Sequence, residues 1–276
     1  MGHTSEKSSS ASKMRFKTKD LEVKIGAARL QVRKLTFDKS APTIVFLHDS
    51  LGCIAVWRDF PEQLAAAAGC NALIYDRQGY GESGELTEER TKGYLEKEAD
   101  ILIQLLDYFE LDRPILFGHS DGGTIALIAA GAQPERFLAV ITEGAHVFVE
   151  DISINGIKKA KDLYQSTNLK QKLEKYHGKK TDKVFSIWAD IWCSAEFRDW
   201  NMEHLLKEVK CPVLVLQGAE DEYGTEAQVH SIAANVSGKS EAHLIEGVAH
   251  TPHKHVPQEV ISLCSNFIAR SLQVSI

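Results

Sequence analysis

The strongest chemical signal in the chain lies in segment 115–123, ILFGHSDGG. It places Ser120 in a Gly-x-Ser-x-Gly pattern, directly after an apolar run that predicts a buried strand and directly before a predicted helix. Glycines allow the tight, strained turn that lifts a serine hydroxyl above a sheet edge, and a helix starting there points its N-terminus at developing negative charge. The bare pattern is common by chance, but a strand and a helix around it make it specific. It predicts that Ser120 is a catalytic nucleophile.

A serine hydroxyl needs a base to take its proton and a carboxylate to hold that base in the right tautomer. Asp221 comes just after the apolar run PVLVLQG, and His250 comes just after HLIEG. Both would lie in loops that follow strands, in the chain order nucleophile, acid, base. Glu220 and Glu222 flank the aspartate and are interpreted as solvated loop charges. The predicted catalytic residues are therefore Ser120, Asp221 and His250.

The loop after the run TIVFLH is expected to help bind an oxyanion. A tetrahedral intermediate needs two N–H donors, and the predicted donors are the backbone amides of Asp121 and Ser50, with Leu51 as second choice for the latter. Asp49 is unexpected there, because an ionised carboxylate facing the oxyanion would oppose its charge. We expect Asp49 to turn away, to bond the loop backbone or His48, or to orient a water.

Two more histidines, His253 and His255, follow His250 closely. This spacing could suggest a metal, but without a supporting acid cluster it is a weak metal signal. The prediction is that the protein binds no metal and needs no cofactor. His253 is expected to make a structural hydrogen bond or to line the mouth of the pocket.

Short apolar runs alternate with amphipathic stretches through most of the chain, which predicts an α/β fold with a mostly parallel eight-stranded sheet covered by helices on both faces. Two alternating segments, 15–24 and 28–36, predict antiparallel or edge strands. The other strands are the runs TIVFLH, ALIYD, PILFG, FLAVITEG, PVLVLQG and HLIEG. The predicted helices lie near 55–69, 92–110, 122–132, 225–236 and 257–271.

Residues 146–208, called the lid segment below, interrupt the alternation with helical patterns alone. The segment is predicted to form a helical cap inserted after the sixth strand, over the sheet edge where open α/β folds bind ligands. The core domain then comprises 15–145 and 209–276, and residues 1–14 form a disordered tail. Aromatic residues suggest an apolar pocket for a modest acyl group, although each could simply seal the cap onto the core. The predicted pocket residues are His48, Asp49, Trp57, His146, Trp188 and Trp192, with Phe148 and Trp200 as further aromatic candidates.

Composition excludes several classes of function. The net charge is −6, with 32 basic and 38 acidic residues and no basic block, which disfavours nucleic acid and anionic membranes. Five cysteines without a C-x-x-C pair fit a reducing cytosol. The N-terminus lacks an apolar signal region, and no apolar run is long enough to span a membrane. We expect a cytoplasmic protein whose partner is a small-molecule substrate; its oligomeric state stays open, with a homodimer among the options.

Together these residues resemble the α/β-hydrolase superfamily over 43–271, most closely its small group with a helical lid. Segment 75–83, YDRQGYGES, is similar to the family's D-x-R-G-x-G-x-S turn, with Gln78 inserted after Arg77. The family usually has His-Gly where this chain has His48 and Asp49, and a bulkier apolar residue is common at Asp121. The resemblance implies an esterase, a lactonase, a haloperoxidase without cofactor, a carbon–carbon bond hydrolase or a lyase. Dehalogenases and epoxide hydrolases have an aspartate where this chain has its elbow serine.

Three hypotheses follow. The first is a hydrolase of an ester, lactone or thioester that forms an acyl-enzyme. The second is carbon–carbon bond hydrolysis or elimination on a dienoate-type acid, for which Arg77, Arg198 or Lys158 could bind the substrate carboxylate. The third is a slow-turnover ligand receptor. Fold alone does not separate them.

Overall fold

The computed structural model describes residues 15–86 and 88–273, and the predicted tail 1–14 lies outside them. Eight strands form one sheet in the order β1-β2-β4-β3-β5-β6-β7-β8. The strand β1 pairs antiparallel with β2, and β2 pairs antiparallel with β4, while every other pairing is parallel. The strands are β1 Lys17–Ile25, β2 Ala28–Thr36, β3 Thr43–Leu47, β4 Asn71–Tyr75, β5 Ile115–His119, β6 Ala139–Glu143, β7 Val213–Gly218 and β8 Ser240–Ile245.

Successive side chains of a strand point to opposite faces of the sheet. The apolar strands therefore present apolar side chains on both faces, and helices pack against each face. On β3, Ile44 and Phe46 pack into one apolar layer with α1 and α10, and Val45 and Leu47 pack into the other with α2 and α3. The helices are α1 Phe60–Ala68, α2 Tyr94–Tyr108, α3 Asp121–Ala132, α4 Asp151–Ser166, α5 Leu169–His177, α6 Thr181–Trp192, α7 Glu203–Leu206, α8 Glu226–Asn235, α9 Pro252–His255 and α10 Pro257–Gln273. The predicted α/β class and strand content are confirmed.

The predicted helix near 55–69 is wrong as a single element. A short 3₁₀ turn, Ile54–Trp57, comes first, and α1 begins only at Phe60. Arg58 between them has a left-handed backbone with φ of 54°. Pro61 has no N–H to continue a preceding helix but is tolerated in a first turn, which is where it lies.

The lid segment carries α4, α5, α6 and α7 between β6 and β7. It also contains an isolated antiparallel bridge between Phe148 and Asn201, which the helical pattern alone does not show. No helix within 15–86 and 88–273 combines the length and apolarity needed to cross a membrane. Because β3, β5, β6, β7 and β8 run parallel, the loops after them meet at one sheet edge, and that edge holds the candidate site.

Candidate active site

The turn at Ser120 has the strained geometry expected of a nucleophile elbow. The residue lies between β5 and α3 with φ of 54°, a conformation that costs a residue with a side chain about 1–3 kcal/mol. Its N–H donates to the backbone oxygen of Glu143 at 2.8 Å, which ties the turn to β6. The glycines are sterically required: a Cβ on Gly118 would lie 2.2 Å from the Gly122 oxygen, and one on Gly122 would lie 2.1 Å from the Leu47 oxygen.

The predicted base and acid form a buried pair. His250 Nδ1 donates to the Asp221 carboxylate and lies 2.9 Å from both of its oxygens. Asp221 Oδ1 also accepts from the N–H of Tyr223 at 2.8 Å, so the loop itself orients the carboxylate. With Nδ1 protonated, His250 Nε2 carries the free lone pair. The geometry suits a general base whose tautomer is set by the acid.

The environment of His250 raises the pKa of its imidazole. Burial alone would lower this pKa, but the charge and hydrogen bond of Asp221 outweigh burial, and Glu222 adds to their effect. Glu222 is exposed, as predicted for a loop charge, yet its carboxylate also accepts from the His250 N–H at 3.1 Å. The lack of a side chain at Gly144 leaves space for the His250 ring, because a Cβ there would lie 2.9 Å from His250 Cε1.

Ser120 and His250 both line one cleft under the lid segment. The cavity of this cleft has a volume of about 70 Å³. The walls combine polar groups from the core loops with apolar side chains from α4 and α6. The predicted residues Asp49, Ser50, Asp121, His146, Trp188 and Trp192 all line it. The sequence did not single out the lining residues Ser153, Ile157 and Tyr223.

Two backbone donors border this cleft. Among the hydrogen bonds of the described residues, none occupies the N–H of Ser50 or of Asp121. The amide of Asp121 starts α3, where first-turn N–H groups have no partner within the helix. Both residues line the cleft together with Ser120, so their N–H groups are available for an oxyanion.

Asp49 lies in the cleft wall with about a quarter of its side chain exposed. Its Oδ1 lies 3.9 Å from His119 Nδ1. Burial would raise the pKa of this carboxyl, but His119 and Lys254 outweigh burial and hold the pKa below its usual range, so Asp49 is ionised at neutral pH. The expected bond to His48 comes from the Asp49 backbone oxygen, which accepts from His48 Nδ1 at 2.7 Å, while the carboxylate faces His119.

Two predicted pocket residues lie outside the cleft lining, so their assignment is corrected. His48 is buried beneath the loop, and its Nε2 accepts from the Arg77 N–H at 3.0 Å. Trp57 packs in the core against Phe60 and the His253 ring, with ring centroids 6.1 and 4.7 Å away. The further candidates Phe148 and Trp200 are likewise absent from the lining. Whether each of these four side chains reaches the cleft depends on the direction in which it points, and the sequence pattern does not fix that direction.

A second buried acid–base pair lies beside the predicted catalytic residues, and its acid was not predicted from the sequence. Glu143, fully buried at the end of β6, accepts from the His253 N–H at 2.6 Å and from His253 Nδ1 at 2.5 Å. His119 Nε2 donates to the His250 backbone oxygen at 2.9 Å. Glu143, His119 and His253 are close enough to hold an ion, but both Glu143 oxygens are already paired with His253. The one feature of the sequence that could have pointed to Glu143 is its position as a charged residue at the end of a predicted strand.

Asp121 connects the elbow to the lid segment. Its Oδ2 accepts from the Tyr94 hydroxyl at 3.0 Å, and that hydroxyl accepts from Trp192 Nε1 at 2.9 Å. Arg77, fully buried, lies with Nη2 3.5 Å from the same carboxylate oxygen. The Asp121 side chain therefore anchors the start of α3 through a buried network.

Comparison with known proteins identifies the fold family. A family model described as the alpha/beta hydrolase fold matches residues 42–189. Human serine hydrolase BPHL is 27% identical over 203 residues, covering 71% of this chain and 68% of the relative. A Pseudomonas putida protein named 2-hydroxy-6-oxononadienedioate/2-hydroxy-6-oxononatrienedioate hydrolase 2 is 27% identical over 242 residues, covering 78% of this chain and 82% of the relative.

Among solved structures, 2-hydroxy-6-oxo-6-phenylhexa-2,4-dienoate hydrolase from Rhodococcus sp. strain RHA1 superposes with a TM-score of 0.79. The match covers 92% of this chain and 99% of that chain, at 13% sequence identity. At such low identity the likeness shows a shared fold and nothing finer.

Proposed function

Because the chain belongs to the α/β-hydrolase fold family, we propose that it is a serine hydrolase that cleaves an ester, lactone or thioester of a small molecule through an acyl-enzyme. The observation that carries the proposal is the buried His250–Asp221 pair opening into the same cleft as the strained Ser120. Relatives named serine hydrolase and esterase/lipase support it.

Each residue of the site has its own role in the proposed reaction. His250 Nε2 takes the proton of Ser120 as its oxygen bonds to the substrate carbonyl carbon, and the N–H groups of Ser50 and Asp121 stabilise the oxyanion. The carbon–oxygen or carbon–sulfur bond then breaks, and His250 returns the proton to the leaving group. A water, deprotonated by His250, attacks the acyl-enzyme and releases the acid with Ser120 regenerated.

The charges of the cleft favour this reaction over cleavage of an acidic substrate. Within the described part of the chain, no lysine or arginine lines the cleft, whereas the ionised Asp49 does. Of the cations proposed for a dienoate, Arg77 is fully buried, Arg198 pairs with Asp151, and Lys158 is exposed on α4 away from the lining. A substrate carboxylate would meet repulsion there, so a neutral substrate with a short acyl group fits better.

Carbon–carbon bond hydrolysis of a dienoate-type acid is the second candidate, since the Pseudomonas putida relative is named as a hydrolase of an oxo-dienedioate. Two measurements on native protein separate the two candidate functions. One is turnover of a panel of esters, lactones, thioesters and dienoates, and the other is labelling by a fluorophosphonate. The proposal expects labelling at Ser120 and turnover of neutral esters or lactones. Turnover of a dienoate alone would favour the second candidate, and an unlabelled native protein would contradict the first. Stoichiometric ligand binding without turnover would indicate a receptor.

The pH profile should report the raised pKa of His250. The protonated imidazole cannot act as a base, so kcat/KM should fall as pH drops through this pKa, with a midpoint above the ordinary value of about 6.5. Glu222→Gln should move the midpoint to lower pH, because it removes a charge that favours the imidazolium.

The matched control is Glu220→Gln, since Glu220 is an exposed neighbour in the same loop. Profiles of kcat/KM for a neutral ester, measured between about pH 5 and 9, test this assignment. A native midpoint below the ordinary histidine value of about 6.5 would contradict it.

A further inference from the structure

A lid-segment histidine contacts two loops of the core. His177 ends α5 and is 3% exposed. Its Nδ1 accepts from the Gly81 N–H at 3.1 Å, and its Nε2 donates to the Leu51 backbone oxygen at 2.9 Å. The ring thus connects the lid segment both to the turn after β4 and to the loop after β3.

The two partners fix which nitrogen carries the proton. A backbone N–H can only donate and a backbone carbonyl can only accept, so His177 must be the neutral tautomer with its hydrogen on Nε2. Burial lowers the pKa of this imidazole, which keeps it neutral at physiological pH. Both ring nitrogens are satisfied in this state, and each bond has a defined direction.

The Leu51 carbonyl belongs to the loop that supplies the proposed oxyanion donor. Leu51 directly follows Ser50, and both line the cleft. On the other side of Ser50, the Asp49 backbone oxygen is held from the core by His48 Nδ1 at 2.7 Å and by Arg77 Nη2 at 2.9 Å. The Ser50 N–H shares the peptide plane of the Asp49 carbonyl, which the core holds, whereas the Leu51 carbonyl lies two peptide units further along the same loop and is held by the lid segment.

We propose that His177 is a positioning residue: by holding the Leu51 carbonyl it fixes the downstream side of the loop that carries the Ser50 donor, so that the oxyanion hole is held from both sides only when α5 is seated on the core. This inference rests on the proposed function. It makes the lid segment part of the catalytic apparatus, because movement of α5 away from the core releases the Leu51 side of the loop that carries the donor.

Two conservative variants separate the two hydrogen bonds. In His177→Gln the amide nitrogen reaches the position of Nε2 and can donate to Leu51, whereas the acceptor for Gly81 is lost. In His177→Asn the side-chain oxygen takes the position of Nδ1 and accepts from Gly81, whereas the bond to Leu51 is lost. Each variant loses one hydrogen bond, so we expect the two variants to lose similar amounts of folding stability.

The proposal expects His177→Asn to lower kcat for a neutral ester about tenfold with little change in KM, and His177→Gln to stay within about threefold of native. Losing an oxyanion donor outright costs on the order of 10²–10³ in kcat, and a loosened donor should cost less. Affinity for a trifluoromethyl ketone, which forms a tetrahedral adduct, should weaken in parallel with kcat. Rates are corrected for the folded fraction from urea unfolding.

Equal kcat in the two variants, or a larger loss in His177→Gln, would overturn the role of the Leu51 bond. A rise in KM with unchanged kcat in His177→Asn would also overturn it, since a positioning role acts on the transition state. These outcomes are distinct from failure of the proposed function, which would appear in native protein as absent labelling and absent ester turnover.

Discussion

Ser120→Ala is expected to lower kcat for ester hydrolysis on the order of 10⁶-fold, leaving only the acceleration that binding and oxyanion donors supply. Alanine removes the one atom that bonds to the substrate carbonyl, and no other hydroxyl lies at the elbow. It should also abolish fluorophosphonate labelling. Because alanine fits the space of serine, folding should be kept, and any stability change should come from the left-handed backbone that Ser120 already tolerates.

The matched control is Ser262→Ala, an exposed serine of α10 that should leave activity and labelling unchanged. Single-turnover and steady-state rates with a neutral ester measure the loss. Full activity in Ser120→Ala would mean that another residue is the nucleophile. Labelling that persists in the variant would point to the same conclusion.

Asp221→Asn should lower kcat on the order of 10⁴-fold while the loop stays folded. Asn keeps an oxygen that can accept from the Tyr223 N–H, which Asp221 Oδ1 accepts at 2.8 Å. What it removes is the negative charge beside His250 Nδ1, and with it the preference for the tautomer whose Nε2 can act as a base. The loss should appear in kcat more than in KM.

The exposed neighbour Glu220 offers the control, and Glu220→Gln should stay near native rates. Circular dichroism and urea midpoints would establish that both variants fold. If Asp221→Asn retained more than a tenth of native kcat, the acid would have to be a different carboxylate. Glu222, which already contacts the His250 N–H, would then be the residue to examine.

The backbone arrangement of the site was predictable because it follows from local patterns. The elbow needs small residues at Gly118 and Gly122, and the packing around both glycines shows why. Asp221 and His250 follow apolar runs, and parallel strands bring such residues to one edge whatever the length of chain between them. Order along the chain and position after a strand were therefore enough to predict that these two side chains come together.

Side-chain direction and contacts across the fold were not predictable from spacing. Trp57 was assigned to the pocket as an aromatic near the loop, yet it packs in the core because the 3₁₀ turn before α1 points it inward. Glu143 and His177 act through partners far away in the sequence, and no local pattern relates them to those partners. Such pairings are set by packing of the whole domain.

The position of the lid segment within the chain also bears on how the enzyme is made. The elbow precedes α4–α7 in the sequence, whereas Asp221 and His250 follow them, and β8 is both the last strand and the sheet edge. Chains emerge from the ribosome N-terminus first, and pairings between distant segments form late. A nascent chain therefore carries the proposed nucleophile and the lid segment before it carries the proposed base, and the proposed site can assemble only after β8 and the loop that follows it have been synthesised.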